Sequence, residues 1–437
     1  MDIASDPELA VPAKPRALPA YLPRAASFGR CRFCNHELRH VMADLGMQPV
    51  ANAYRAFHEV NRMEPFFPLR ALVCQNCLLV QAQEFETAEN MFSEDYAYFS
   101  SFSDSWLRHA RNYADMAIQR FNLDEHSRVV EIACNDGYLL RWFVDKGIPS
   151  LGIEPTAGTA RAAAALGIPV HTSFFGADTA YELRAAGVQA DLMPANNVVA
   201  HVPDINDFIE GFRVLLKDNG VATFEFHHVM NLLGLNQFDT IYHEHYYYHS
   251  LATFQKILAS HSLAVFDVEQ LPTHGGSLRV YAQHTVTGVH AISPRVGHVL
   301  AQERAAGLDR IETYLGLNER VRSMKLNLLA TLIEAKRLGK RIAAYGAPAK
   351  GNTLLNFAGV RNDFIDFTVD RNPAKQQHML PGTMIPILSP DTIFESKPDL
   401  LLVLVWNLLD EVREQMAGIR EWGGRFLVAM PDVRILD

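Results

Sequence analysis

Three features of the amino-acid sequence predict an α/β protein with a zinc-binding module in front and two Rossmann-like units behind it. Two cysteine pairs stand near the start, short apolar strands alternate with helices from Arg128 onward, and a second strand–loop–helix unit opens at Arg341. Strands that return through helices at this spacing make a parallel, doubly wound sheet, whose ligands lie at the carboxyl ends of the strands. At 437 residues the chain is too long for one core. The expected division is a disordered tail over 1–30, a zinc module over 31–90, a central sheet domain over 91–290, and a C-terminal Rossmann-like domain with leading helices over 291–437.

Composition narrows the function classes. Hydrophobic residues make up 49% and charged residues 20%, which suits a folded enzyme. The net charge of −9 argues against nucleic acid, whose affinity comes from neutralising phosphates. The Pro- and Ala-rich first 30 residues contain no signal-peptide core, and the apolar run Leu400–Val405 is too short to span a bilayer. A cytoplasmic protein with no membrane partner is expected, as a monomer or small homo-oligomer.

Cys31 and Cys34 form one C-x-x-C and Cys74 and Cys77 another. In a reducing compartment two such pairs supply four thiolates for a tetrahedral zinc, with no position left open for chemistry. Cys134, among apolar neighbours, reads as a small buried hydrophobe and not a nucleophile. Leu45–Pro49 and Pro65–Leu69 read as turns and short extended pieces, and Leu69–Val73 and Leu78–Gln83 as strands. A helix is expected over Asp104–Phe121, behind an aromatic run that includes Tyr96 and Tyr98.

The central strands are expected at Arg128–Ala133, Ser150–Glu154, Ile168–His171, Ala190–Val198 and Gly220–Phe226. Leu263–Leu271 and Ser277–His284 flank His274-Gly275-Gly276 and are expected to close the sheet antiparallel. Residues 294–338 read as a long helix with Leu300, Ala306, Leu308, Ile311, Leu315, Met324, Leu328 and Leu332 toward the core. Beyond it, Arg341–Tyr345, Phe364–Asp370, Leu400–Trp406 and Arg425–Met430 are expected strands.

The loop after the first central strand, Glu131-Ile132-Ala133-Cys134-Asn135-Asp136-Gly137, has one glycine where a dinucleotide cofactor needs several. An acidic strand residue and a polar loop suit a cofactor with a positive charge and an amino-acid tail, such as S-adenosylmethionine. Glu131, Asn135 and Gly137 frame its loop, Glu154 is placed to accept the ribose hydroxyls, and Asn196 and Asn197 flank the methionine part. Further along, ten of the twelve side chains from Phe238 to His249 can donate, accept or carry a proton. Side chains of that kind need polar partners once buried, so the cluster reads as a proton-handling site.

Together these stretches resemble the zinc-containing S-adenosylmethionine-dependent C-methyltransferases of deoxysugar biosynthesis, which act on nucleotide-linked 4-ketosugars. The resemblance rests on the two cysteine pairs, Asp44-Leu45-Gly46-Met47 with Pro49 and Asn52, Glu131–Leu140, Gly152–Pro155 and Asn196–Asp204. It continues through Ile241-Tyr242-His243-Glu244-His245, Gly275–Arg279 and Tyr345–Gly351. It implies removal of a proton α to the ketone and methylation of the enolate, with Tyr242, Glu244, His245 and His201 as the catalytic set. Either His245 is the base, or Tyr242 if its neighbours make the phenol more acidic. Glu244 would orient His245 or bind a sugar hydroxyl, and Tyr242 and His201 would stabilise the enolate oxygen. Tyr96, Tyr98 and Ser100 are implied at the substrate, with Lys350 and Arg279 near its diphosphate. The chain departs from the family pattern at Phe226-His227-His228, where a proline and a tyrosine are expected.

Three competing readings are weaker. An RNA methyltransferase would present a basic face. A dehydrogenase would need a better dinucleotide loop than Gly346–Gly351. A non-catalytic assembly protein leaves Tyr242–His245 without a purpose.

Overall fold

The computed structural model describes residues 28–85 and 99–437. The expected tail, except for its last three residues, lies outside them, as do Tyr96 and Tyr98. The N-terminal module holds β1 (His40–Gln48), β2 (Arg55–Ala56), β3 (Phe67–Val73) and β4 (Val80–Ala82). The central domain holds β5 (Val129–Ile132), β6 (Ser150–Ile153), β7 (Val170–His171), β8 (Ala190–Asn196), β9 (Leu216–His227), β10 (Tyr247–Tyr248), β11 (Leu263–Leu271) and β12 (Ser277–His284). The C-terminal domain adds β13 (Ile342–Tyr345), β14 (Thr368–Val369), β15 (His378–Met379), β16 (Pro386–Leu388), β17 (Leu400–Val403), β18 (Arg425–Val428) and β19 (Arg434–Leu436).

The central sheet has seven strands in the order β11-β12-β9-β8-β5-β6-β7. β5 to β9 run parallel, and β12 is antiparallel to both β9 and β11. β5 is buried at every position, as a central strand covered by helices on both faces must be. The chain steps outward from β5 to β7 and then returns to β8 on the other side of β5. That reversal opens a crevice at the carboxyl ends of β5 and β8, the place where such sheets bind ligands. Phe224 and Phe226 of β9 pack with Phe208, Phe212 and Phe254 in tilted and edge-to-face pairs on one face of the strand.

Two strands belong to one domain by sequence and to another by pairing. β10 completes the N-terminal sheet in the order β1-β3-β4-β10, and β2 closes the C-terminal sheet beside β15. Neither strand is long enough for periodicity to announce it.

Leu45–Gln48 is an extended piece, the end of β1, bent by a bulge between Asp44 and Met47 where Gly46 takes φ +74°. One local expectation is corrected. The helix expected over 294–338 is three helices, Pro294–Ala305, Ile311–Leu315 and Leu317–Arg337. The chain turns at Gly307, whose φ of +79° favours a residue without a Cβ, and the helical period restarts after it. Ala306 and Leu315 are therefore exposed, while Tyr314, Leu317 and Val321 take the core positions.

Candidate active site

Ala133, Asn135 and Gly137 all take left-handed φ, so the loop after β5 coils tightly and presents its backbone. A Cβ on Gly137 would lie 2.5 Å from Ile168 Cδ1, so the glycine is needed for close helix packing. Glu154 accepts hydrogen bonds from the Asn135 and Thr156 amides, each at 2.9 Å, and burial raises its pKa. Each of its oxygens keeps a lone pair for a ribose hydroxyl. Asn196 is 8% exposed with neither amide atom bonded. Glu131 is fully buried; Tyr138 approaches it, yet neither oxygen completes a hydrogen bond, and burial pushes its pKa well up. Orphaned polar atoms beside the crevice fit a polar, cationic cofactor. Asn197, by contrast, is engaged, its Nδ2 lying 3.2 Å from His274 Nε2. Ser100 sits on this cofactor loop, its amide donating to Asn135 Oδ1 at 3.0 Å.

A turn closed by the His245 amide on the Tyr242 carbonyl brings the two side chains together, their rings tilted with centroids 3.9 Å apart. Their polar atoms form one chain. His245 Nδ1 lies 2.9 Å from the Thr240 carbonyl, which can only accept, so Nδ1 carries the proton. Nε2 is then a lone pair, and the Tyr242 hydroxyl donates to it at 2.6 Å. Burial, and the neighbouring His201 after it, hold His245 well below the ordinary imidazole pKa, so the ring is neutral at pH 7. His201 stands edge-on to it at 4.6 Å and is pushed down to about 4 by burial.

Glu244 points elsewhere. Both its oxygens accept from Asn52 Nδ2, at 2.9 and 2.8 Å, and burial lifts its pKa to about 7 against that help. Orientation of His245, expected of Glu244, is instead supplied by the Thr240 carbonyl. Arg279 is also placed differently from expectation. It is 5% exposed, with Nη2 on Glu225 at 2.8 Å and Nη1 on Glu269 at 3.4 Å, so its charge is spent inside the sheet. Lys350 is held between the C-terminal domain and the segment before Tyr242. It donates to Asn407 Oδ1 at 2.7 Å and lies 4.7 Å over the Trp406 ring. Burial lowers its pKa, opposed by Asp239.

Several further residues stand at the site to which the sequence assigned no role. His274 holds Asn197, and Trp106 bridges it to the cofactor loop, stacking on Tyr138 at 5.9 Å and tilting against His274 at 5.2 Å. Gly275 is required there, since a Cβ would lie 2.4 Å from Trp406. Asn52 and Tyr54 arrive from the N-terminal module. At the departure from the family pattern, His227 Nε2 bonds Gln237 Oε1 and buried His228 pairs with Glu303, each at 2.7 Å.

In the N-terminal module the ligand atoms of Cys31, Cys34, Cys74 and Cys77 lie within 4.8 Å of one another. Sγ–Sγ separations of 3.6 Å (Cys31–Cys77) and 3.5 Å (Cys34–Cys74) are close to the roughly 3.8 Å edge of a tetrahedron with 2.3 Å zinc–sulfur bonds. Each pair closes the same turn, Asn35 N on Cys31 O and Leu78 N on Cys74 O, both at 2.9 Å. Gln81 Nε2 adds a hydrogen bond to Cys31 Sγ at 3.2 Å, which helps a thiolate carry its charge and fixes its direction. The site fits a closed, structural zinc.

Comparison with known proteins agrees with this geometry. Residues 31–92 match the family described as "Putative zinc binding domain", residues 106–268 a "Methyltransferase domain", and residues 272–431 a "C-methyltransferase C-terminal domain". C-methyltransferase NovU of Streptomyces niveus is 32% identical over 410 residues, covering 93% of this chain and 96% of that protein. Among solved structures, magnesium protoporphyrin IX methyltransferase of Synechocystis PCC 6803 is 15% identical over 40% of this chain and 78% of its own, with a TM-score of 0.31. An S-adenosylmethionine-dependent methyltransferase of Mesorhizobium loti is 16% identical over 39% and 98%, with a TM-score of 0.31. A closed four-cysteine zinc site, a methyltransferase sheet and a relative matched nearly end to end lead to one conclusion: the chain belongs to the S-adenosylmethionine-dependent C-methyltransferase family that includes NovU.

Proposed function

We propose that the protein methylates the carbon α to the ketone of a nucleotide-linked 4-keto deoxysugar, in deoxysugar biosynthesis. The observation that carries this reading is the tautomer fixed at His245, whose bare Nε2 receives the Tyr242 hydroxyl. A carbon nucleophile must be made by removing a proton, and a neutral imidazole hydrogen-bonded to a phenol is built to accept one. The proton leaves the α-carbon for the Tyr242 oxygen as the phenol proton passes to His245 Nε2, or goes directly to Nε2 when substrate displaces the phenol. His201, neutral at pH 7, suits a donor to the enolate oxygen. S-adenosylmethionine, when bound, supplies the electrophilic methyl group. Glu131, Asn135, Gly137, Glu154, Asn196 and Asn197 would hold it in the crevice. Glu244 binds a sugar hydroxyl, and Lys350 is the cation best placed for the diphosphate. Ser100, with Tyr96 and Tyr98 by resemblance, completes the substrate side.

No helix among the described residues is long and apolar enough to cross a membrane. The thiolate zinc site suits a reducing compartment, and we place the protein in the cytoplasm, without nucleic-acid partners, as a monomer or small homo-oligomer. Incubation with a panel of nucleotide-linked ketosugars in deuterated water tests the reading. The protein should exchange the α-proton of one of them, and His245→Ala should abolish that exchange while retaining affinity for S-adenosylmethionine. Exchange that survives in His245→Ala would move the base elsewhere, and no exchange on any ketosugar would overturn the substrate class.

A further inference from the structure

The N-terminal module does more than carry zinc. Its loop after β1 runs from Pro49 to Tyr54 into the space between the other two domains. There Asn52 Nδ2 meets both oxygens of Glu244, which is 1% exposed. Asn52 is itself held. The Tyr54 hydroxyl donates to the Ala347 carbonyl at 2.6 Å and lies 3.2 Å from Asn52 Oδ1, while Lys375 donates to the same Ala347 carbonyl at 2.9 Å. Ala347 N donates in turn to Asp370 at 2.8 Å. The Glu244 oxygens, which only accept, set the amide with its nitrogen toward Glu244, one N–H shared between the two oxygens, and its oxygen toward Tyr54.

We propose that Asn52 is a positioning residue for the reaction: supplied by the zinc module and locked by Tyr54 onto the C-terminal domain, it orients Glu244 and holds it as a carboxylate toward the substrate. This rests on the reading that Glu244 binds a substrate hydroxyl. The physical need is plain. A carboxylate with almost no solvent contact protonates unless N–H groups bind its charged form. Asn52 supplies them from its side chain first and its backbone second, and removing the side chain leaves only the backbone and the more distant Lys375. The charged and titratable groups around Glu244 are few. Lys375 attracts it, Asp370 lies 4.0 Å from Lys375 and offsets part of that charge, and Tyr54 and His201 face it, His201 through the Glu244 backbone. An ionised Glu244 accepts from a sugar hydroxyl; a protonated one competes as a donor and cannot hold the same geometry.

Infrared titration of the full zinc-loaded chain tests this without any substrate. The carboxyl band that disappears in Glu244→Gln belongs to Glu244, and in the native protein it should titrate at about 7. In Asn52→Ala it should titrate about one to two pH units higher, the worth of one charge-assisted hydrogen bond. In Asn52→Asp, which keeps the shape but adds a like charge, it should rise further. Zinc content and affinity for S-adenosylmethionine should stay unchanged in both variants. With a turned-over nucleotide ketosugar, the acid limb of kcat/KM should move by the same amount. An unmoved Glu244 band in both Asn52 variants would overturn the proposal, as would a kcat/KM profile unchanged by either variant. If the band shifts while the native protein exchanges no ketosugar, the functional reading falls and the hold of Asn52 on Glu244 stands.

Discussion

At the scale of single residues, the site works by fixing protonation states through burial and a few directed hydrogen bonds. Tyr242→Phe removes the hydroxyl that His245 Nε2 now receives but leaves the ring contact. We expect it to lower kcat by about 10²–10⁴-fold, the usual worth of one acid–base group, with the affinity for S-adenosylmethionine unchanged by calorimetry. Glu225, fully buried, shows the opposite environment from Glu244. Burial pushes its pKa up, but the His109 hydrogen bond and the Arg279 charge win and hold it at about 2. Because the folded pKa lies below the ordinary 4.5, the stability this contributes is complete above about pH 4.5 and is lost as pH falls toward 2. Arg279→Ala strands the carboxylate and should cost about 3–5 kcal/mol at pH 7 by chemical denaturation, a deficit that narrows as the pH is lowered through that window. The identity of Tyr242, His245, Glu154 and Asn196 as candidates could be read from residue type and place along the chain. That Glu244 turns to Asn52, and that Arg279 is spent on Glu225, could not, because the partners lie 192 and 54 positions away.

At the scale of elements, strand pairing carries the zinc site to the Tyr242–His245 turn. β4 follows Cys77 directly and pairs with β10, which follows His245. Arg32, between the first two cysteines, lies over the rings of Tyr246 and Tyr247 at 5.2 and 5.6 Å. Tyr246 N bonds the Ala200 carbonyl at 2.7 Å, next to His201. Chelation of zinc, or Cys77→Ser, should therefore raise amide exchange in β3, β4 and β10 and abolish α-proton exchange, while the central sheet still binds S-adenosylmethionine. The long, regular elements were legible. The helix Asp104–Phe121 and strands β11 and β12 fall where the pattern places them, because each has its own amphipathic period or caps. The two-residue strands β2 and β10 have no period to read and exist only because a neighbouring edge is there to pair with.

At the scale of the whole molecule, the three sheets are joined by exchanged strands, so none is expected to behave as an independent unit. A chain beginning at residue 99 would leave the β15 edge bare where β2 now covers it and would expose β10. We expect it to aggregate, seen by light scattering at concentrations where the full chain remains dispersed. The sequence by itself determined the alternation of strand and helix, the four zinc thiolates, the cofactor loop and the dense polar turn, since spacing and residue type are local properties. Only the tertiary structure decided which partners fix the tautomer of His245, which residue holds Glu244, and which domains share the site. Those are contacts between segments far apart in the chain, selected by the packing of the three sheets and not by any local preference.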